Sequence, residues 1–191
     1  MTFYNVLSAL LFIGALRAWL ISIENLIWQD IFALGCFAVI VFNEMLSFSL
    51  GVEIKKEVEY TTGLMLLDLA NFLLLALALV VISPTKNLFD VPLPNIAGYL
   101  GRSTFWLLLL LYWLLLMLWT FLGRGRPALP RVIGQLTVAA IFLIRWLLSG
   151  SETTEQAQLY NAIVFAYILI YLAVIRRILR AKYPSRELKL T

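Results

Sequence analysis

Glu44 and Asp68 are carboxylates set deep within apolar sequence, each with further polar groups at helical spacing. Asn43 and Ser47 accompany Glu44, and Asn71 follows Asp68 by three positions. Residues three and four apart share a helix face, so these side chains predict one patch of Asn43, Glu44, Ser47, Asp68 and Asn71. Two close carboxylates in a low dielectric do not both stay charged unaided. Either one keeps a proton, or a cation or an arginine compensates. An all-oxygen donor set suits a proton, Na⁺ or another hard cation. The competing interpretation is structural, because buried polar side chains also hold helices together at about 0.6 kcal/mol per contact.

Two arginines are equally out of place. Arg17 and Arg145 fall within apolar stretches, close to the ends opposite to those nearest Glu44 and Asp68. Long side chains can lift their guanidinium groups to the headgroup level. Alternatively, the two converge on a site for an anionic ligand, or pair with Glu24, Glu152 or Glu155 at its mouth.

Other chemistries lack their residues. The chain has no histidine, which removes the commonest general base and the usual zinc ligands. It has no Gly-x-Ser-x-Gly turn, His-Glu-x-x-His helix or phosphate loop. The single Cys36 is expected to pack as a small apolar residue. Neither catalysis nor a bound cofactor or metal centre is expected, and the net charge of +4 reads as an orientation device before it reads as a nucleic-acid surface.

The positioning elements are six apolar stretches: Phe3–Ile23, Ile31–Val52, Thr62–Ser83, Phe105–Leu122, Val132–Ser149 and Leu159–Ile175. Each approaches or exceeds the roughly 20 residues a helix needs to cross a bilayer core. With 62% of its residues hydrophobic, the chain is expected to be an all-α polytopic transmembrane bundle of six spans in a single domain over residues 1–183, followed by a basic tail at 184–191. Glu44 then lies about 12 Å, and Asp68 about 9 Å, from the same membrane face by helical rise. A short loop joins their spans, which predicts antiparallel neighbours.

The loops set the orientation. Lys55, Lys56, Arg124, Arg126, Arg131 and the arginines and lysines after Ile175 fall on one side, with only Lys86 and Arg102 on the other. Cationic loops resist translocation, so both termini are expected in the cytoplasm of a cell bounded by an inner (plasma) membrane. No Lys or Arg precedes the first apolar run, which argues against a cleaved signal peptide.

Details of the spans add expectations. Gly14-x-x-x-Ala18 and Ala162-x-x-x-Ala166 should let neighbouring helices approach closely. The Leu-rich fourth span is placed on the lipid-facing rim or against another subunit. Pro84, Pro92 and Pro94 rule out a regular helix between spans three and four, with a short helix expected at Asn95–Leu100. Ser151–Gln158 should cap a long sixth helix.

The function expected on these grounds is a membrane component of a transporter or an ion or proton channel. The alternative is a non-catalytic accessory or scaffold subunit. Expected partners are the lipid bilayer, a second copy or other membrane subunits, and a small ion or solute.

Overall fold

A computed structural model describes the backbone at residues 2–54, 61–83, 87–88, 91–92, 96–124 and 129–182, and side chains at 6–28, 30–45, 61–83, 101–122 and 132–174. Six helices occupy almost all of it: α1 (Thr2–Glu24), α2 (Trp28–Ile54), α3 (Thr62–Ile82), α4 (Ile96–Arg124), α5 (Leu129–Leu148) and α6 (Thr154–Lys182). Between α3 and α4, β1 (Asn87–Leu88) and β2 (Val91–Pro92) form a two-residue antiparallel ladder, the one departure from the all-α expectation among the described residues.

Each helix is sorted in the opposite sense to a helix of a water-soluble bundle. On α5, Gln135, Val138, Ala139, Phe142 and Arg145 are buried, while Ile133, Leu136, Leu143, Ile144 and Leu147 face out. On α3, Leu64, Asp68, Asn71, Leu75 and Ile82 point inward, and Met65, Leu66, Leu69, Leu73 and Leu77 point outward. Polar groups inside and leucines outside suit a hydrocarbon solvent, where each unpaired polar group is costly. Among the described residues four helical segments are long and apolar enough to cross a membrane: Val6–Glu24, Thr62–Ile82, Gly101–Leu122 and Thr154–Val174. Val132–Leu148 is a shorter apolar helix.

The helices close a ring in the order α1, α2, α6, α5, α4, α3. The ring divides into two lobes. Helices α1, α2 and α6 pack mainly with one another, as do α3, α4 and α5, and the seams between the lobes are thinner. Ser8, Ala15, Ala18 and Ser22 form a fully buried small-residue seam on α1, which lets α2 approach closely. Among the described residues α2 packs chiefly with α1 and α6 and meets α3 more lightly, despite the short loop between them.

Two expectations are corrected here. The fourth span is not apolar rim alone: Phe105, Trp106, Leu109, Tyr112 and Trp113 of α4 belong to the core, packed between α3 and α5, while Leu111, Leu114, Leu118, Phe121 and Leu122 face out. The small face expected on α6 is not its inner one either. Ala166 is exposed, and Ala157, Asn161, Val164, Ile168 and Leu172 point inward instead. Bulk fits that position, because Phe165 packs over the bare backbone of Gly35. Cys36 is buried as a packing residue should be.

The turns at one end of the bundle are closely specified. Helix α1 ends with Ile27 N–H donating to Ser22 O and Leu26 N–H donating to Ile23 O, the paired bonds of a Schellman cap. Leu26 therefore holds φ at 54°, a conformation that costs a side chain about 1–2 kcal/mol. Leu26 is largely exposed, so Leu26→Gly sheds strain without losing packing. It is expected to stabilise the protein by about 0.5–1 kcal/mol, measured as a higher midpoint in thermal unfolding in detergent. Helix α4 bends at Gly101, where φ is 59° and ψ 160°. The short helix expected at Asn95–Leu100 thus starts at Ile96 and precedes a break just before Arg102. Helix α6 begins with a reciprocal capping box: Gln156 N–H donates to Thr153 Oγ1, and Thr153 N–H donates to Gln156 Oε1.

Candidate functional site: a charged cavity at one end of the bundle

These turns bring five helix ends around a cavity of about 160 Å³. Its chemistry comes from Asp30 at the start of α2, Arg102 and Trp106 on α4, Arg145 on α5, Glu152 in the α5–α6 turn and Asn161 on α6. Arg145 is 3% exposed. Its Nε donates to Asn161 Oδ1 at 2.7 Å and its Nη2 to Glu152 Oε1 at 2.7 Å. The guanidinium also sits 5.1 Å from the centre of the Trp106 ring, so a cation–π contact holds it from one side. Arg145 is buried within the end of the bundle, and its pairing with Glu152 was among the alternatives the sequence allowed.

Because α5 runs into the turn at Gly150 and the capping box restarts the chain at Thr153, Glu152 folds back onto Arg145, seven positions earlier. The pair lies at the carbonyl end of α5, where a cation is favoured. A second pair closes the other side, with Arg102 Nη2 donating to Asp30 Oδ2 at 3.3 Å. Arg102 is mostly exposed and Asp30 is not, so solvent screens the guanidinium more than the carboxylate.

Burial pushes the Asp30 carboxyl above its ordinary value of 3.8, opposed in part by the Arg102 charge. The folded state therefore holds this proton more tightly than the unfolded chain does. That contribution to stability is complete below pH 3.8 and is lost as pH rises through the raised value. Asp30→Asn is expected to flatten this part of the stability–pH curve, measured as unfolding midpoints followed upward in pH from the ordinary carboxyl value.

Below the cavity the centre is packed with rings. Phe37 meets Phe105 at 6.2 Å, Phe105 meets Trp106 at 4.9 Å, and Phe142 lies between Trp106 at 6.0 Å and Trp113 at 6.5 Å. Trp113 in turn meets Tyr112 at 5.8 Å and Tyr171 at 5.6 Å. Beyond this layer comes the patch anticipated from sequence. Tyr112 Oη donates to Glu44 Oε1 at 2.6 Å, linking α4 to α2 across the ring. Asp68 and Asn71 share the buried face of α3 as their spacing predicted, and Asn71 Oδ1 is buried with no hydrogen-bond partner among the described residues. Asn43 is half-buried. Ser47 lies in α2, but its side chain falls outside the described residues.

The structure thus corrects the route by which the patch forms. Glu44 is tied to α4 through Tyr112, and α2 and α3 meet less closely than the short loop between them predicted. Arg17 is half-buried on α1 and does not line the cavity; the second arginine there is Arg102. Asp30, Arg102, Trp106 and Asn161 were not anticipated as site residues. Asn161, an amide early in the sixth apolar stretch, was the signal most open to detection.

Comparison with protein-family models, with curated proteins and with solved structures gave no match. The class of protein rests on fold and surface: a helical membrane protein with apolar helices outside and a charged cluster within.

Proposed function

We propose that this chain is the solute-binding membrane component of a transporter, with the charged cavity as its entry site. The observation that supports it is the placement of one ion pair and one charged hydrogen bond. Asp30 belongs to one lobe and Arg102 to the other, and Arg145 on α5 reaches Asn161 on α6. Polar links that straddle a thin seam between two packed lobes suit a site that opens and closes by rigid-body movement. The aromatic layer seals the cavity from the Glu44–Tyr112 level, which favours a carrier over an open channel.

In this reading all six helices cross the membrane and both termini are cytoplasmic, so the cavity faces outward from an inner (plasma) membrane. A reporter at either terminus that works only on the cytoplasmic side tests the orientation. The Glu44, Asp68 and Asn71 level is the candidate proton or cation site that couples to solute movement, and no catalytic step is involved. The leucine-rich outer faces meet lipid, a second copy or other membrane subunits.

The expected result is proton uptake into vesicles reconstituted with the protein under an imposed membrane potential, lowered at least about tenfold in Glu44→Gln and Asp68→Asn, as for other proton-relay carboxylates within membranes. The packed centre gives weight to one other reading, an accessory or scaffold subunit. That reading prevails if both variants leave flux and potential unchanged but abolish co-purification with another membrane chain in mild detergent.

A further inference from the structure

The lobes are joined differently at two levels. At the cavity end the links are polar and border open space. Arg102, 61% exposed, reaches Asp30 at 3.3 Å, and Arg145 Nε donates to Asn161 Oδ1 at 2.7 Å, beside about 160 Å³ of cavity. A pair as exposed as the first holds weakly against water.

Deeper in the bundle the joint is a row of rings. Tyr112 meets Trp113, Trp113 meets Tyr171, and Tyr171 stacks on Tyr167, with centroids 5.8, 5.6 and 6.4 Å apart. Hydrogen bonds fasten both ends: Tyr112 Oη donates to Glu44 Oε1 at 2.6 Å, and Tyr167 Oη lies 2.9 Å from Thr137 Oγ1. The row therefore passes from α2 to α4, from α4 to α6 and from α6 to α5, and each step crosses from one lobe to the other. There is no slack beside it. A Cβ on Gly134 would stand 3.0 Å from Tyr171 Cε2, so the ring lies directly against the α5 backbone. Tyr112 stands at the middle of the Gly101–Leu122 segment, which puts the row near half-height in α4. Thr137 is eight residues before Arg145, and Tyr167 six after Asn161, so the two levels are about 9–12 Å apart along α5 and α6.

Two packed bodies joined tightly at one level and loosely at another turn about the tight one. We propose that the row of Tyr112, Trp113, Tyr171 and Tyr167 is the fulcrum on which the lobes rock, and that the Asp30–Arg102 and Arg145–Asn161 links are the clasps that hold the cavity end shut. The proposal rests on the cavity being a site that opens by rigid-body movement. Ring contacts survive a small tilt, since aromatic pairs tolerate centroid separations of about 4.5–7 Å, whereas the clasps must break. A rotation of about 15° over a lever of about 15 Å moves the cavity end by about 4 Å and the row hardly at all.

The test is pulsed dipolar spectroscopy on spin-labelled full chain in lipid vesicles, with the buried Cys36 replaced through Cys36→Ala. One label pair, Leu147→Cys with Leu159→Cys, reads the cavity end of α5 and α6; the other, Leu136→Cys with Ile170→Cys, reads the row, and all four positions are exposed. Arg102→Gln together with Asn161→Ala releases both clasps, and leaves Arg145 its contacts with Glu152 and Trp106. The expected result is a change of about 4 Å at the cavity-end pair, with the row pair unchanged within about 1 Å. The unaltered protein should already show the broader distribution at the cavity end, so the test does not depend on the double variant folding. A change in the row pair as large as that at the cavity end overturns the fulcrum and leaves the moving lobes standing. Equally narrow distributions that change at neither level overturn both.

Discussion

Arg145→Met is expected to destabilise the protein by about 3–5 kcal/mol, the usual cost of breaking one half of a buried ion pair. The substitution preserves length and flexibility, so little of the loss comes from volume. Most of it comes from what is left behind: a Glu152 carboxylate, 9% exposed, with no cation, and an Asn161 oxygen that has lost its donor. Because the penalty belongs to the abandoned partner, a second substitution, Glu152→Leu, should recover most of it. A double-mutant cycle on unfolding free energies in mixed detergent measures the coupling. Additive losses in the double variant would mean that the pair contributes nothing as a pair, against the 2.7 Å geometry.

Phe142→Ala carries a comparable cost, about 3–5 kcal/mol, as a fully buried ring replaced by a void. Phe142 is 0% exposed and contacts both Trp106, at the cavity floor, and Trp113, beside Tyr112. Its removal is therefore expected to do more than loosen the core. With the seal thinned between the cavity and the Glu44–Tyr112 level, vesicles containing the variant should leak protons without added solute. Phe142→Leu, which keeps most of the apolar volume, should remain tight. Equal leak rates in the alanine variant and the unaltered protein would mean that the layer is not the barrier.

The lipid-facing sorting and the helix limits were legible because both follow from local composition. Span boundaries fell within three residues of α1, α2, α3 and α5, while α4 and α6 run well beyond their apolar stretches; the Asn95–Leu100 segment and the cap near Thr153 were recognisable from turn chemistry. Arg145 and Glu152 were readable as possible partners since a seven-residue separation across Gly150 returns the chain on itself. The contacts that cross the ring were not legible. A Leu-rich helix with one tyrosine reads equally well as a rim helix or a central one, and only the tertiary structure shows that Tyr112 faces Glu44. Likewise, a short loop made α2 and α3 look like neighbours. Helices α1 and α6 take most of the α2 surface instead, a competition between packing surfaces that no single segment reveals. Asp30 and Arg102 escaped notice because charges at the ends of spans ordinarily meet water.

The division of the ring also bears on the order of assembly during synthesis. Helices α3, α4 and α5 are consecutive, so that lobe can form from neighbours as they leave the ribosome. The other lobe joins α2, already packed with α1, to α6, after the 99 residues between Ile54 and Thr154 have been made. Until then the α2 surface that receives α6, including Phe32 and Gly35, has no mate within the chain. Contacts so distant in sequence form late, and truncation before α6 should yield a product whose first two helices are open to quality-control proteases while its middle three are protected.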